Sequence, residues 1–340
     1  MTEHVQTTST ARWTTCVKAV LKGSGQVMFQ GNGWTGLLFL IGIFIGAYQE
    51  GQPPVAWGAL VGLMASTLAG MLLHQPADEG NNGLWGFNGI LVGCAFPTFL
   101  GNTPLMWTAL VLGAMMSTWI RTGFNHVMAS WKTNSLTFPF VFTSWIFLLA
   151  ARMLKGLPPE YMSAPELTAT LHTALDTSPG SLFVYWLKGI AQVFLINSWV
   201  TGIFFLAALF VSSRWAALWA AVGSALALGV ALLYQAAGSS IASGLYGFSP
   251  VLTAIALGCT FYQPGWRSAL WALTGIVATV FIQAGMNALM MPFGLPTFTA
   301  PFCVATWLFL LPLYKLDEKE PDHSAWHKRK KLTHDHRTTD

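Results

Sequence analysis

A short apolar element that is interrupted by glycine and occurs twice constrains this fold most. The first copy is GLWGFNGILVG at residues 83–93, within an element of about 83–97, and the second begins GLYGFSPVL within about 244–258. Neither copy can cross a bilayer, because a spanning helix needs about 20 apolar residues. Short segments of this kind at matching places in two halves of a chain are typical of a transport site in a membrane.

The composition also indicates a membrane protein. Hydrophobic residues make up 54% of the chain and charged residues only 9%, whereas an ordinary soluble domain is about 25% charged. A soluble core of this size would need a charged surface, which this chain lacks. The 16 Trp residues suit the headgroup region, where an apolar ring with one N–H donor is favoured. We therefore expect an all-α polytopic membrane protein.

Long apolar segments around each short element predict five transmembrane helices per half. They lie at roughly 13–30, 33–50, 53–74, 104–120 and 122–154, and then at 181–197, 200–213, 215–236, 265–283 and 285–315. Pro139 interrupts the fifth segment, since proline breaks the helical hydrogen-bond pattern. The predicted divisions are a polar tail at 1–12, a first repeat at 13–154, a connecting loop at 155–180, a second repeat at 181–315 and a charged tail at 316–340.

Polar residues that recur at a constant spacing indicate that the two halves are related. Gln26 and Thr35 recur in register as Gln192 and Thr201. The segment 123–147 likewise shares Gly, Asn, Thr and Pro positions with 285–309, without a gap. Unrelated apolar helices would match in Leu, Ala and Val rather than in Gln, Asn, Thr and Pro. Because five spans is an odd number, the second half must insert upside down. The expected architecture is an inverted repeat with two re-entrant helices.

Basic residues at both ends predict the orientation. Ten of the 17 Lys and Arg residues lie near the termini, among them Lys18, Lys22 and a cluster at 328–331. Such residues mark the cytoplasmic side, so both termini are expected there. The basic tail is interpreted as a topology signal rather than a nucleic-acid site. Residues 1–12 are polar, and no cleavable signal peptide is expected.

Acidic residues are expected only in termini and interhelical loops. Carboxylates inside a membrane mark proton relays and cation sites, so a proton- or sodium-coupled pump is disfavoured, and an uncharged solute should move downhill. The four cysteines are scattered, without CxxC or clustered histidines. The sequence therefore predicts no metal site, no disulfide framework and no catalytic constellation.

Neutral polar residues remain as candidates, in pairs related by the repeat. Gln26 and Gln192 each offer an amide donor and an acceptor, with helix-to-helix packing as the alternative role. Thr137 and Thr299 each lie two residues before a proline, where a hydroxyl can also satisfy the backbone that the proline frees. An inverted repeat places equivalent residues symmetrically about the midplane, so we expect these two hydroxyls to lie close together.

Apolar candidates for the wall of a pore lie in the short elements. They are Phe87, Leu91, Phe248 and Leu252. Packing is the ordinary role of such residues, but their position in the two short elements favours pore lining. Phe29 lies on nearly the same helix face as Gln26, whereas Leu195 takes its place in the second half. The two mouths of the pore are therefore expected to differ.

The pairing of GLWGFNGILVG with GLYGFSPVL, together with LTFPF and FTAPF, resembles the urea transporter family. The stretches QVMF at 26–29 and QVFL at 192–195 resemble its pore-facing helices, and the resemblance covers about 13–315. It implies a homotrimer with one pore per protomer, ten spanning helices and passive conduction through a narrow slot. The slot residues that it implies are Gln26, Val27, Phe29, Phe87, Leu91, Thr137, Gln192, Val193, Phe248, Leu252 and Thr299.

We accordingly expect a bacterial-type urea channel of the inner membrane, in contact with lipid, without catalysis, cofactor or nucleic-acid partner. Urea is flat and uncharged, so faces of Phe and Leu would accept it while oxygen acceptors replace its lost water. Family members can carry Glu at the position of Gln192, and the neutral residue here would make the two mouths more alike. The alternative is a secondary transporter for a small polar, amide-like solute.

Overall fold

The computed structural model describes residues 16–166 and 174–312, and that part of the chain is helical apart from turns, loops and isolated bridge residues. Helix α1 covers 16–26 of the described residues. The first half continues with α2 (Gly33–Gln49), α3 (Pro53–Leu72), α4 (Ala77–Asn81), α5 (Phe87–Phe99), α6 (Pro104–Met128) and α7 (Phe138–Ala151). The second half has α8 (Pro179–Ala191), α9 (Trp199–Ser212), α10 (Arg214–Leu233), α11 (Gly238–Ala242), α12 (Phe248–Ile255), α13 (Trp266–Met290) and α14 (Ala300–Leu310).

The backbone repeats its unusual conformations in both halves. Phe29 and Leu195, which follow the equivalent Gln26 and Gln192 in register, have φ angles of 62° and 59°. Leu136 and Phe298, which directly precede the two equivalent threonines, have φ angles of 51° and 49°. A bulky residue rarely adopts a positive φ. The positive φ recurs at equivalent positions, so the two halves share the same backbone conformation there.

Helices α5 and α12 form the two short apolar elements. Glycines bring α5 against α3: a Cβ on Gly62 would lie 2.2 Å from the Gly89 carbonyl oxygen, and one on Gly93 would lie 2.0 Å from that of Gly58. Only glycine permits such a close approach of two backbones. Residues 87–97 of α5 and all of α12 are buried. Both short elements are therefore enclosed in protein, as a short segment at membrane depth must be.

Three helical segments within the described residues are long and apolar enough to cross a membrane: Pro53–Leu72, Arg214–Leu233 and Trp266–Phe293. A fourth candidate joins Pro179–Phe194 to Trp199–Ser212 through a bend of 72°. Other apolar helices, such as α2, α7 and α14, are only 10–17 residues long. The count of ten spans therefore remains a prediction.

The outward-facing surface of the helices is apolar. Large apolar side chains stand exposed, for example Met153 at 85%, Leu233 at 74% and Phe210 at 68%. A soluble monomer rarely exposes extensive apolar patches. Together with the buried short elements, this surface identifies a multi-pass helical protein embedded in a membrane.

Two predicted helix boundaries are wrong, and a buried ion pair explains the first of them. The segment predicted at 104–120 stops before Arg121, whereas α6 continues to Met128, and α13 runs to Met290 rather than to 283. Arg121 is 3% exposed and lies 2.9 Å from a carboxylate oxygen of Glu79. A buried charge is tolerated when it is paired, so Arg121 does not end the helix. Helices α7 and α14 consequently begin later than predicted.

Candidate functional site

Thr137 and Thr299 meet where the two halves join. Each occupies the N-cap position of its helix, α7 or α14, without a capping hydrogen bond from its side chain. Their hydroxyl oxygens are 2.6 Å apart, and the two residues are 3% and 2% exposed. This distance is that of a hydrogen bond between hydroxyls, in which either can donate. The predicted proximity of the two threonines is confirmed.

Two reciprocal tryptophan hydrogen bonds flank the threonine pair. Trp145 Nε1 donates to the Pro296 carbonyl oxygen, and Trp307 Nε1 donates to that of Asn134, each at 2.9 Å. Each bond runs from α7 or α14 to the loop that precedes the threonine of the other half. Both halves therefore position the threonine pair together.

A cavity of about 40 Å³ lies beside Thr137. This cavity, here named the Gln26 cavity, is lined by Gln26, Val27, Phe29, Leu84, Phe87, Arg121, Asn125, Asn134, Ser135, Leu136, Thr137 and Phe302. Five of these residues were predicted from the sequence: Gln26, Val27, Phe29, Phe87 and Thr137. Because Phe302 belongs to α14, both halves contribute to the wall.

The six remaining predicted residues do not line the Gln26 cavity. Leu91 and Leu252 are fully buried in α5 and α12. In the second half, Val193 is 1% and Phe248 is 8% exposed. Thr299 contacts the cavity residue Thr137 through its hydroxyl. Lining of a passage by these residues stays a prediction.

The paired glutamines make equivalent hydrogen bonds. Gln26 Nε2 donates to the Asn82 carbonyl oxygen at 2.8 Å, and Gln192 Nε2 donates to that of Ser243 at 2.9 Å. Each bond ties the end of a helix to the loop that precedes a short element. The amide donor therefore has the packing role that was the alternative from sequence. An amide also carries a separate oxygen acceptor, so packing and solute binding are compatible.

The ring of Phe29 forms a flat wall against the second half. Its positive φ follows from the break at the end of α1, where the Phe29 N–H donates to the Gln26 carbonyl oxygen at 3.0 Å. The ring meets Phe261 and Phe302 edge to face, with centroids 5.6 and 6.1 Å apart. This is a favourable aromatic geometry, and it fixes the position of the ring.

Polar residues of α6 and the following loop were missed as site residues. Asn125 Oδ1 accepts from the backbone N–H and the hydroxyl of Ser135, at 2.8 and 2.7 Å. In the second half, Asn287 Oδ1 accepts from the Thr297 hydroxyl at 3.1 Å. The recurrence of Asn125 as Asn287 was the available signal. Arg121 gave no such signal, because Gln283 stands at its equivalent position.

Glu79 was expected in an interhelical loop, and it lies in the short connection between α3 and α5. This residue lies in the short helix α4, and its Oε2 accepts a hydrogen bond from Arg121 Nη1 at 2.9 Å. Arg121 lines the Gln26 cavity, whereas Glu79 does not and is 26% exposed. The carboxylate is therefore compensated by an arginine next to the cavity.

The sequence is similar to those of known proteins over most of its length. The sequence model of the urea transporter family matches residues 17–314, which include the Gln26 cavity and the threonine pair. Urea transporter 1 of Ovis aries is 33% identical over 296 residues, which cover 86% of this chain and 76% of that protein. Urea transporter 1 of Rattus norvegicus is 32% identical over 298 residues, with the same two coverages. Because the match spans both halves, the chain belongs to the urea transporter family.

Proposed function

We propose that this protein is a channel that conducts urea passively through a narrow slot crossing both halves. Membership of the family supports urea as the transported solute and a transporter rather than an enzyme. The proposed slot is lined by Gln26, Val27, Phe29, Phe87, Leu91, Thr137, Gln192, Val193, Phe248, Leu252 and Thr299. The observation that carries this proposal is the hydroxyl pair of Thr137 and Thr299, which lies at the junction of two equivalent halves.

The chemistry of urea suits this lining. Urea is flat and uncharged, so the fixed ring of Phe29 and the ring of Phe87 accept its faces. Burying an amide without partners costs on the order of 2–7 kcal/mol, and the glutamine and threonine oxygens would replace water along the path. Ions would lose far more hydration than these neutral groups return. Several weak sites in series allow the solute to leave as well as enter.

The charges near the Gln26 cavity support passive transport. Coupled transporters use intramembrane carboxylates to carry protons or cations. Glu79 contacts the lining residue Arg121, and its carboxylate is held there in an ion pair. We therefore expect movement down the urea gradient only.

Stopped-flow light scattering on proteoliposomes under an inward urea gradient tests this proposal. The purified protein should raise urea permeability above that of empty liposomes, and dissipating proton and sodium gradients should leave the rate unchanged. A rate equal to that of empty liposomes would refute urea conduction. Accumulation of urea against its gradient would instead identify a secondary transporter.

Assembly and placement complete the proposal: a homotrimer of bacterial type in the inner membrane, with one pore per protomer and both termini cytoplasmic. The proposed repeats are 13–154 and 181–315. The supporting features are the apolar outer surface and the basic residues near both ends. Native mass spectrometry should give three chains per particle. Protease added to sealed, right-side-out cells should leave terminal tags intact.

A further inference from the structure

The Arg121–Glu79 ion pair lies at the site, but the proposed slot gives it no role. Within residues 16–166 and 174–312, which the structure describes, this is the one ion pair. Arg121 is 3% exposed, and its guanidinium carbon lies 5.8 Å from the centre of the Phe87 ring. Gln26 and Phe87 line the same cavity as Arg121. A permanent positive charge is therefore placed beside two residues of the proposed slot.

The equivalent place in the second half carries no charge. Gln283 is the repeat partner of Arg121, in the register that relates Asn125 to Asn287. Ser240 is the partner of Glu79, in the register that relates Gly83 to Gly244. The Gln283 amide donates to the carbonyl oxygen of Leu245. Both halves thus hold a nitrogen donor near the loop before a short element, but the donor is cationic in the first half only.

The donor set of Arg121 complements the acceptor of Gln26. A guanidinium carries five N–H donors and no acceptor, and Glu79 is bonded to one nitrogen, Nη1. The remaining donors of a side chain that lines the cavity are suited to a carbonyl oxygen. Gln26 uses its Nε2 for Asn82 and so presents an acceptor to N–H groups. Urea has one carbonyl oxygen and four N–H groups, which match both partners at once.

We propose that Arg121 is a specificity-determining residue, which donates a hydrogen bond to the carbonyl oxygen of urea in the Gln26 cavity and keeps cationic analogues out. The inference rests on the proposed function. Glu79 holds the guanidinium in place through its hydrogen bond to Nη1 and lowers the cost of burying the charge. The second half, with Gln283, binds the same solute without discriminating by charge.

Guanidinium is the probe that separates charge from shape. It is flat and close to urea in size, but a third nitrogen replaces the carbonyl oxygen and the molecule is a cation. Urea flux into proteoliposomes is measured with millimolar guanidinium chloride on one side, against sodium chloride at equal ionic strength. The compared quantity is the inhibition constant of guanidinium divided by the half-saturation concentration of urea.

The double variant Arg121→Gln, Glu79→Gln replaces both charges by amides that can still bond to each other. The ratio of the guanidinium inhibition constant to the urea half-saturation concentration should fall by about tenfold or more in this variant. Urea loses a hydrogen bond to a charged group, which raises its half-saturation concentration. Guanidinium is no longer repelled, which lowers its inhibition constant. Arg121→Lys keeps the charge but loses the planar fork. Its ratio should fall less, through weaker urea binding alone. Guanidinium added at the opposite mouth should inhibit all three proteins equally.

A merely structural Arg121 would lower the amount of folded protein and leave the ratio as in the wild type, and this result would overturn the inference. If the double variant cannot be purified, an unchanged ratio in Arg121→Lys overturns it equally. Failure of the proposed function is a different result, because the unmodified protein would then carry no urea at all.

Discussion

Substitution of the two central threonines by valine tests both the structure and the slot. Valine keeps the shape of threonine nearly constant and removes only the hydroxyl. The hydroxyls of Thr137 and Thr299 are 2.6 Å apart in a buried setting, so each single change leaves the other hydroxyl without this partner. A net hydrogen bond is worth about 0.5–1.5 kcal/mol, whereas a buried polar group without a partner costs about 1–3 kcal/mol.

Stability and flux should therefore respond differently to the same substitutions. Thr137 has a second contact, 3.4 Å from the Sγ of Cys303, so Thr299→Val should destabilise less than Thr137→Val. The double variant leaves no hydroxyl unpaired and should be more stable than Thr137→Val, a non-additive result expected for residues in direct contact. Urea flux should instead fall by about two- to tenfold for each hydroxyl removed and be lowest in the double variant.

Both quantities are measured on the same purified proteins. Thermal unfolding in detergent gives the stability, and stopped-flow light scattering normalised to folded protein gives the flux. If flux per folded channel survives in the double variant, the threonines do not form the constriction. If the two single variants unfold as the double variant does, the hydroxyl pair does not exist in the membrane protein.

Three further predictions concern the surroundings of the slot. Gln26→Leu and Gln192→Leu should each raise the half-saturation concentration of urea by a few fold to tens of fold. Wild-type values in both variants would show that the glutamines serve only in helix packing. Gly36→Ala should lower the melting temperature sharply, because its Cβ would lie 1.7 Å from the Leu21 carbonyl oxygen. Gly123→Ala is the matched control, since nothing lies within 4 Å of its Cβ, and equal losses would contradict this packing argument. Trp145→Phe removes the hydrogen bond from the indole to the Pro296 carbonyl oxygen of the other half. The free energy of unfolding should fall by about 0.6 kcal/mol, and an unchanged value would mean that this bond is absent.

The membrane class and the pairing of the two halves could be read from the sequence. Composition alone required an apolar surface, because charged residues make up only 9% of the chain and cannot cover a soluble fold of this size. The recurrence of Thr137 as Thr299 in one continuous register predicted their proximity, since repeated backbones place equivalent residues symmetrically. The family assignment agrees with the motifs around the two short elements.

Only the tertiary structure decided the charge at the site and the limits of α6. Hydropathy treats Arg121 as the end of an apolar segment, because a lone charge is costly inside a membrane. Its partner Glu79 lies far away in the chain, in a different helix, and no local pattern links the two. Phe302 reaches the Gln26 cavity from the other half for a similar reason. A periodic pattern records which side of a helix is apolar, whereas the partner that compensates a buried charge is set by the packing of distant helices.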